Sequence, residues 1–445
     1  MRLVLRWSCA AFAGLSLSIL LTACASQSAS PESQSIGPQP LLPKPDPMLI
    51  PTVEIAKAVG WKNAEAPIPA AGLRVQAFAR GLQHPRWLLV LPNGDVLVAE
   101  SNAPPDSGAI KGIKGKVMGW LMRNAGAGVE SPNRVTLLRD ADGDGVAEQS
   151  ETFVEGVQSP FGMALVEQTL YVASAEAVLA FDYRPGQLRA EAPGRLIAEL
   201  PHGPGPLNHH WTKSLLASAD GRHLYVGVGS NSNAAEGGMD KESDRAAILR
   251  IDIESGQRTV VATGLRNPVG LAWQPESGKL WAVVNERDAL GDQLVPDYLT
   301  EIVDGAFYGW PYSYYGANLD PRVKPQRPEL VATARVPDYA LGAHVAPLGL
   351  VFYAGTALPD RLHGAALIAE HGSWNRADLV GYKVVALRFE NGQPVGMPED
   401  LLTGFLSSEG KANGRPVGLA VDGAGGVLVA DDVGNTIWRV SAASP

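Results

Sequence analysis

The phrase Pro268-Val269-Gly270-Leu271-Ala272 returns as Pro160-Phe161-Gly162-Met163-Ala164, Pro347-Leu348-Gly349-Leu350-Val351 and Pro416-Val417-Gly418-Leu419-Ala420. Weaker copies are Pro85-Arg86-Trp87-Leu88-Leu89 and Trp211-Thr212-Lys213-Ser214-Leu215. Each reads as a turn, a small residue and the apolar start of a strand. Most copies lead to a second strand after a polar turn, as in Pro92-Asn93-Gly94-Asp95 before Val96-Leu97-Val98-Ala99. Six copies roughly 50 to 80 residues apart indicate a radial repeat. The reading is all-β, a six-bladed β-propeller of four-stranded antiparallel blades. Composition agrees: 49 Gly and 34 Pro in 445 residues exceed the ordinary usage of about 12% for the pair. A net charge of -9 argues against nucleic acid as a partner, which needs a basic stripe.

Ahead of the repeats stand two segments of different character. Arg2 and Arg6 precede an apolar run, and Leu21-Thr22-Ala23-Cys24 closes it. This is the layout of a secretory signal, too short for a comfortable membrane span. The four closing residues resemble a bacterial lipobox, which implies lipidation at Cys24 once residues 1–24 are processed. The chain has 2 Cys, and Cys9 leaves with the signal, so Cys24 has no disulfide partner. The expected location is the bacterial cell envelope, lipid-anchored, at the outer membrane facing the periplasm. Membrane contact is expected through the lipid alone. Residues 25–71, rich in Ser, Pro, Gln and Ala, read as a flexible tether. The propeller domain is then 72–445.

In a propeller the loops leading into the inner strands ring one mouth of the central channel. The residues just ahead of the repeated phrase therefore converge there: Arg86, Gln158, His209, His210, Arg266, Asn267, His344 and Arg415. A second chemical signal is Asp140-Ala141-Asp142-Gly143-Asp144-Gly145 followed by Glu151. This has the spacing of an EF-hand calcium loop, with Asp140, Asp142, Asp144, Val146 through its carbonyl, Glu148 and Glu151 as ligands. The flanks read as strands, so the expected role is a structural Ca²⁺ clamp.

Taken in order, these pieces resemble the soluble pyrroloquinoline quinone (PQQ)-dependent glucose and sorbosone dehydrogenases over roughly residues 72–440. The resemblance rests on Gly264 to Ala272, on His209-His210, on Gly309-Trp310-Pro311, on Gln158, and on His371 to Arg376 with Gly381-Tyr382-Lys383. It implies PQQ and Ca²⁺ as cofactors, and oxidation of an aldose or related aldehyde. It implies His210 as general base with Arg266 as electrostatic partner. Arg266, Asn267, Arg376, Lys383 and Arg415 would hold PQQ, a tricarboxylate that suits arginine forks. Gln158 and His209 would face substrate. An active-site Ca²⁺ would be held by the backbone of Asp288 and Ala289. Thr212-Lys213-Ser214 departs from the Gly-Gly-Arg that many members carry. Electrons would pass to an unidentified periplasmic acceptor. A metal-dependent propeller hydrolase of the lactonase kind, or a non-enzymatic binding propeller, are the alternatives that the fold also permits.

Overall fold

The computed structural model describes residues 32–46, 52–62, 64–105, 123–202 and 209–443. Cys24 and the signal segment lie outside these. Six four-stranded antiparallel blades stand in a ring. Blade 1 comprises Pro85–Val90, Val96–Glu100, Arg134–Arg139 and Gln149–Glu155. Blade 2 comprises Met163–Val166, Thr169–Ala173, Ala177–Asp182 and Arg195–Glu199. Blade 3 comprises Lys213–Ala217, His223–Val228, Ala247–Asp252 and Arg258–Thr263. Blade 4 comprises Asn267–Trp273, Leu280–Asn285, Pro296–Glu301 and Tyr339–Ala343. Blade 5 comprises Pro347–Phe352, Ala366–Glu370, Lys383–Glu390 and Gln393–Thr403. Blade 6 takes Pro416–Val421, Val427–Asp431 and Thr436–Ala442 from the end of the chain. Its outermost strand, Leu73–Arg80, comes from the start and pairs with Thr436–Ala442, closing the ring.

The six repeated phrases are the six innermost strands, and their glycines have a shared reason. A Cβ on Gly162 would lie 2.2 Å from the backbone N of Leu215 in blade 3. One on Gly270 would lie 2.8 Å from the carbonyl oxygen of Leu348, one on Gly349 2.2 Å from that of Val417, and one on Gly418 2.6 Å from that of Arg86. Each glycine is thus the point where one inner strand meets the next at the hub, and no side chain fits there. Away from the hub the cores lie between neighbouring blades. Phe161, Val172, Leu97 and Leu137 fill the space between blades 1 and 2, for example. Second strands such as Val96–Glu100 and Val427–Asp431 are buried along their whole length, because each is covered by a blade on either face.

The expectation of a free tether over 25–71 is overturned for its described part. Ile36 and Gly37 pair with Leu341 and Ala340 on the outer edge of blade 4. The Asp46 N–H donates to the Leu290 carbonyl at 2.9 Å, and the Glu54 N–H to the Trp374 carbonyl at 3.1 Å. Lys57 and Ala58 run parallel to Lys411 and Ala412, and Ile68 and Pro69 pair with the outer strand of blade 5. The described residues of 32–71 form a strap laid over blades 4, 5 and 6. Its apolar anchors, among them the fully buried Ala56, outweigh a composition that otherwise reads as linker.

Candidate active site

Inner strands begin, and second strands end, on the same face of the ring. The mouth is therefore built from the loops leading into inner strands and from the loops joining second to third strands. His210 sits in the turn before Lys213. Its Nδ1 is 2.7 Å from the Ser230 carbonyl oxygen. A carbonyl only accepts, so Nδ1 carries the proton and Nε2 presents a lone pair. Burial, then the positive charge of Arg266, then His209 hold the imidazole pKa well below 6.5, so His210 is neutral at pH 7. The His209 ring stands edge-on to it at 4.7 Å, in a more exposed position.

Arg266 leads into the inner strand of blade 4 and is almost wholly buried. Its Nη1 donates to the Glu286 carbonyl at 2.7 Å. Nη2 donates to Asn233 Oδ1 at 3.0 Å and to Asp288 Oδ2 at 3.0 Å. Nε reaches the Asn233 carbonyl at 3.3 Å. Of the five N–H groups of a guanidinium, these bonds leave one, on Nη1. Asn267 follows, with its Oδ1 buried and without a hydrogen-bond partner among the described residues. Gly229 stands between the two sides: a Cβ there would lie 2.3 Å from Asn267 Oδ1 and 2.5 Å from His210 Cβ.

Across the mouth, blades 1, 5 and 6 build a second charged group. Asp432 takes a hydrogen bond from Arg86 Nη1. His371 Nε2 donates to the same carboxylate at 2.9 Å, and His84 Nε2 lies 3.7 Å away. Burial alone would raise the Asp432 pKa, but His371, His84 and Arg86 hold it far below the usual carboxylate range. Burial pushes the His371 imidazole down to about 4. Arg415 stacks its guanidinium 4.7 Å over the Tyr382 ring, and its Nε and Nη2 are buried without hydrogen-bond partners. Those two nitrogens carry three N–H groups, and with the one orphaned on Arg86 Nε they suit an anionic ligand.

Of the other expected residues, His344 stays at the mouth, its Nδ1 3.9 Å from Asp288 Oδ1, and the rest take these places. Lys383 opens the third strand of blade 5, and its Nζ pairs with Asp400 on the outer strand at 2.7 Å. Arg376 is buried with Nη1 on the Ala343 carbonyl at 3.1 Å. Gln158 stands exposed ahead of blade 2, its carbonyl accepting the Ala175 N–H. His344 donates from Nε2 to the Gly291 carbonyl at 3.1 Å. Both lone pairs of the Asp288 carbonyl are taken, by Asn233 Nδ2 at 3.0 Å and Arg322 Nη1 at 2.8 Å. That carbonyl does not fit a calcium ligand. The Ala289 carbonyl accepts only from Arg322, at 3.3 Å, and a guanidinium beside it already supplies positive charge. Asn233, the carboxylates of Asp288 and Asp432, Asn375 and His371 as an Asp432 partner were not among the expected site residues. All lie in joining loops that carry no repeated phrase.

On the opposite face, one carboxylate oxygen each of Asp140, Asp142, Asp144 and Glu148 lie within 4.8 Å of one another. Glu151 is not among them. It sits in the strand Gln149–Glu155 opposite Leu137, because the chain leaves this loop as a strand and not as the helix that brings the last EF-hand ligand back. Val146 is exposed, with its N–H donated to Asp144 Oδ1 at 2.8 Å.

Fold and mouth together define a six-bladed propeller with a buried His, Arg and Asn cluster at one end of its channel. Residues 67–298 and 330–443 match the TrAA12-like family, and the chain belongs to it. An uncharacterized protein of Borreliella burgdorferi is 29% identical over 300 residues, 65% of this chain and 77% of that protein. The carbohydrate-active enzyme of family AA12 from Trichoderma reesei has the same fold, with a TM-score of 0.68 at 20% identity, over 88% of this chain and 99% of that one. The PQQ domain of pyranose dehydrogenase from Coprinopsis cinerea, in its holo form, gives a TM-score of 0.67 at 20% identity, over 87% and 100%.

Proposed function

We propose that the protein is a PQQ-dependent dehydrogenase that oxidises an aldose or a related aldehyde. The observation that carries this reading is His210: an imidazole kept neutral, with Nδ1 fixed on a carbonyl and Nε2 left to take a proton, beside a rigid Arg266. Oxidation of a sugar hydroxyl removes the O–H proton as hydride leaves the adjoining carbon. His210 Nε2 takes that proton. The remaining Nη1–H of Arg266 faces the negative charge that develops as it does so. PQQ, when bound, would supply the ortho-quinone that accepts the hydride. The residues present fit it: buried N–H groups on Arg415 and Arg86 suit its carboxylates, and Asn267 Oδ1 suits a hydroxyl or N–H. The naming of the Coprinopsis domain as a PQQ pyranose dehydrogenase supports the same assignment.

Two further parts belong to this reading. Asp140, Asp142, Asp144 and Glu148 would hold a structural Ca²⁺, since four carboxylates that close repel one another unless a cation relieves them. Lipidation at Cys24 would fix the protein to the cell envelope, with reduced cofactor reoxidised by a periplasmic acceptor. The deciding experiment reconstitutes purified protein with PQQ and Ca²⁺ and follows dye reduction over a panel of aldoses and aldehydes. PQQ-dependent reduction on at least one supports the assignment. No reduction on any sugar or aldehyde refutes it.

A further inference from the structure

Trp61, late in the strap, is wired into the mouth. Trp61 Nε1 donates to Asp431 Oδ2 at 2.6 Å, and Trp438 Nε1 donates to the same oxygen at 3.0 Å. The other oxygen, Oδ1, accepts the main-chain N–H of Arg415 at 2.8 Å and that of Gly434 at 2.8 Å. Asp431 is fully buried, so four donors fix its place. The backbone of Arg415 is thus tied to a carboxylate that the strap helps to hold.

The guanidinium end of Arg415 is supported from the same side. It lies over Tyr382, whose hydroxyl donates to the Ser373 carbonyl at 2.7 Å. Ala56 of the strap is buried in one cluster with Tyr382, Phe405, Ala412 and Trp438. The Trp61 ring packs edge-on against Phe405 at 5.7 Å and Trp438 at 5.4 Å. The backbone of a buried arginine whose Nε and Nη2 are unpaired therefore rests on a carboxylate held by Trp61, and its guanidinium on a ring in the same apolar cluster as Ala56.

We infer that Trp61 is a positioning residue for Arg415, and that the strap is a working part of the anion-binding side of the mouth and not a spacer. Trp61 acts through Asp431 and the Tyr382 cluster without touching a ligand. The identity of the anion, a quinone carboxylate, rests on the function proposed above; the positioning does not.

The test uses the whole mature chain with Trp61→Phe, which keeps an aromatic ring and loses the N–H, and Trp61→Ala. Peptide-resolved hydrogen exchange over 411–416 reports the Arg415 segment without any cofactor, and calorimetric titration with PQQ reports the anion site. A hydrogen bond to a carboxylate is worth enough that exchange should speed up by about tenfold in Trp61→Phe, and more in Trp61→Ala. PQQ dissociation constants should rise by a similar factor. Ile68→Ser, at an exposed strap position, should change neither. Wild-type exchange and wild-type PQQ affinity in both Trp61 variants would overturn the inference. If wild-type protein binds no PQQ, the proposed function fails, and the exchange comparison alone upholds or overturns the positioning role.

Discussion

Gly229→Ala tests the geometry of the mouth with one methyl group. Gly229 follows the second strand of blade 3, and its φ lies outside the left-handed region, so alanine brings no backbone strain. Its Cβ would stand 2.3 Å from Asn267 Oδ1, 2.5 Å from His210 Cβ and 3.0 Å from His210 Cγ. Ordinary contacts between such atoms are about 3.5 Å or more, so His210 and Asn267 must retreat by roughly 1 Å. A displacement of about 1 Å at a reacting group costs on the order of 100-fold in rate. The overpacking itself costs about 1–3 kcal/mol, too little to unfold a domain of this size at 25 °C. The assay is PQQ-reconstituted dye reduction on the best aldose, with melting temperature as control. Gly423→Ala, whose Cβ meets nothing within 4 Å, serves as the neutral comparison. A Gly229→Ala protein that melts within a few degrees of wild type and turns over at the wild-type rate would refute the placement of His210 and Asn267 beside this strand end.

Other outcomes follow from the same structure. His210→Ala should lower turnover by about 10² to 10⁴ with PQQ still bound in calorimetry, whereas His209→Ala should cost less; equal activity in wild type and His210→Ala would remove it as base. Chelation should lower the melting temperature of wild type but not of Asp142→Ala, and an unchanged melt in both, under complete chelation, would remove the calcium loop. Burial holds the His371 pKa at about 4, below its unfolded value near 6.5, so protons bind the unfolded chain first and stability falls as pH drops from about 6.5 toward 4. By pH 5 the loss at this site amounts to about 2 kcal/mol; denaturant midpoints that fall as steeply in His371→Gln as in wild type would contradict this. Cys24→Ser should move the protein from the membrane fraction to the soluble one, and full retention in membranes would exclude lipid anchoring at that residue.

The ring was legible because its cause is repeated six times. Inner strands touch at the hub, and four of the six phrases carry the Pro-x-Gly that records a contact where only glycine fits. His210 and Arg266 were legible for the same reason, standing just ahead of a phrase. Asn233, Asp432 and the carboxylate role of Asp288 were not, because loops between second and third strands vary in length and their polar side chains read as ordinary surface groups. The strap was hidden by its Pro and Ser content, although Ile36, Ala56 and Trp61 are the kind of spaced apolar residues that dock an extended segment. Glu151 was misplaced by a spacing rule that presumes a helical exit from the loop. Lys383, at the start of a third strand, pairs with Asp400, a partner that the spacing of the sequence does not announce.

The two sides of the mouth give histidine different partners, although burial lowers the pKa of both. His210 hydrogen-bonds a neutral carbonyl and lies under the field of Arg266, so a proton gained at Nε2 is held against repulsion and passed on readily. His371 hydrogen-bonds an ionised carboxylate, which offsets only part of the burial penalty and leaves its pKa at about 4. The first environment suits a group that takes a proton and releases it in each turnover. The second suits a fixed electrostatic element: an aspartate kept ionised by Arg86, His84 and His371 offsets the positive charge that gathers there. Arg415, beside that aspartate and backed by Tyr382 and Asp431, retains buried N–H groups toward an anionic ligand. Under the proposed function, proton transfer would belong to blades 3 and 4 and anion binding to blades 5, 6 and 1, where the strap would lend its support.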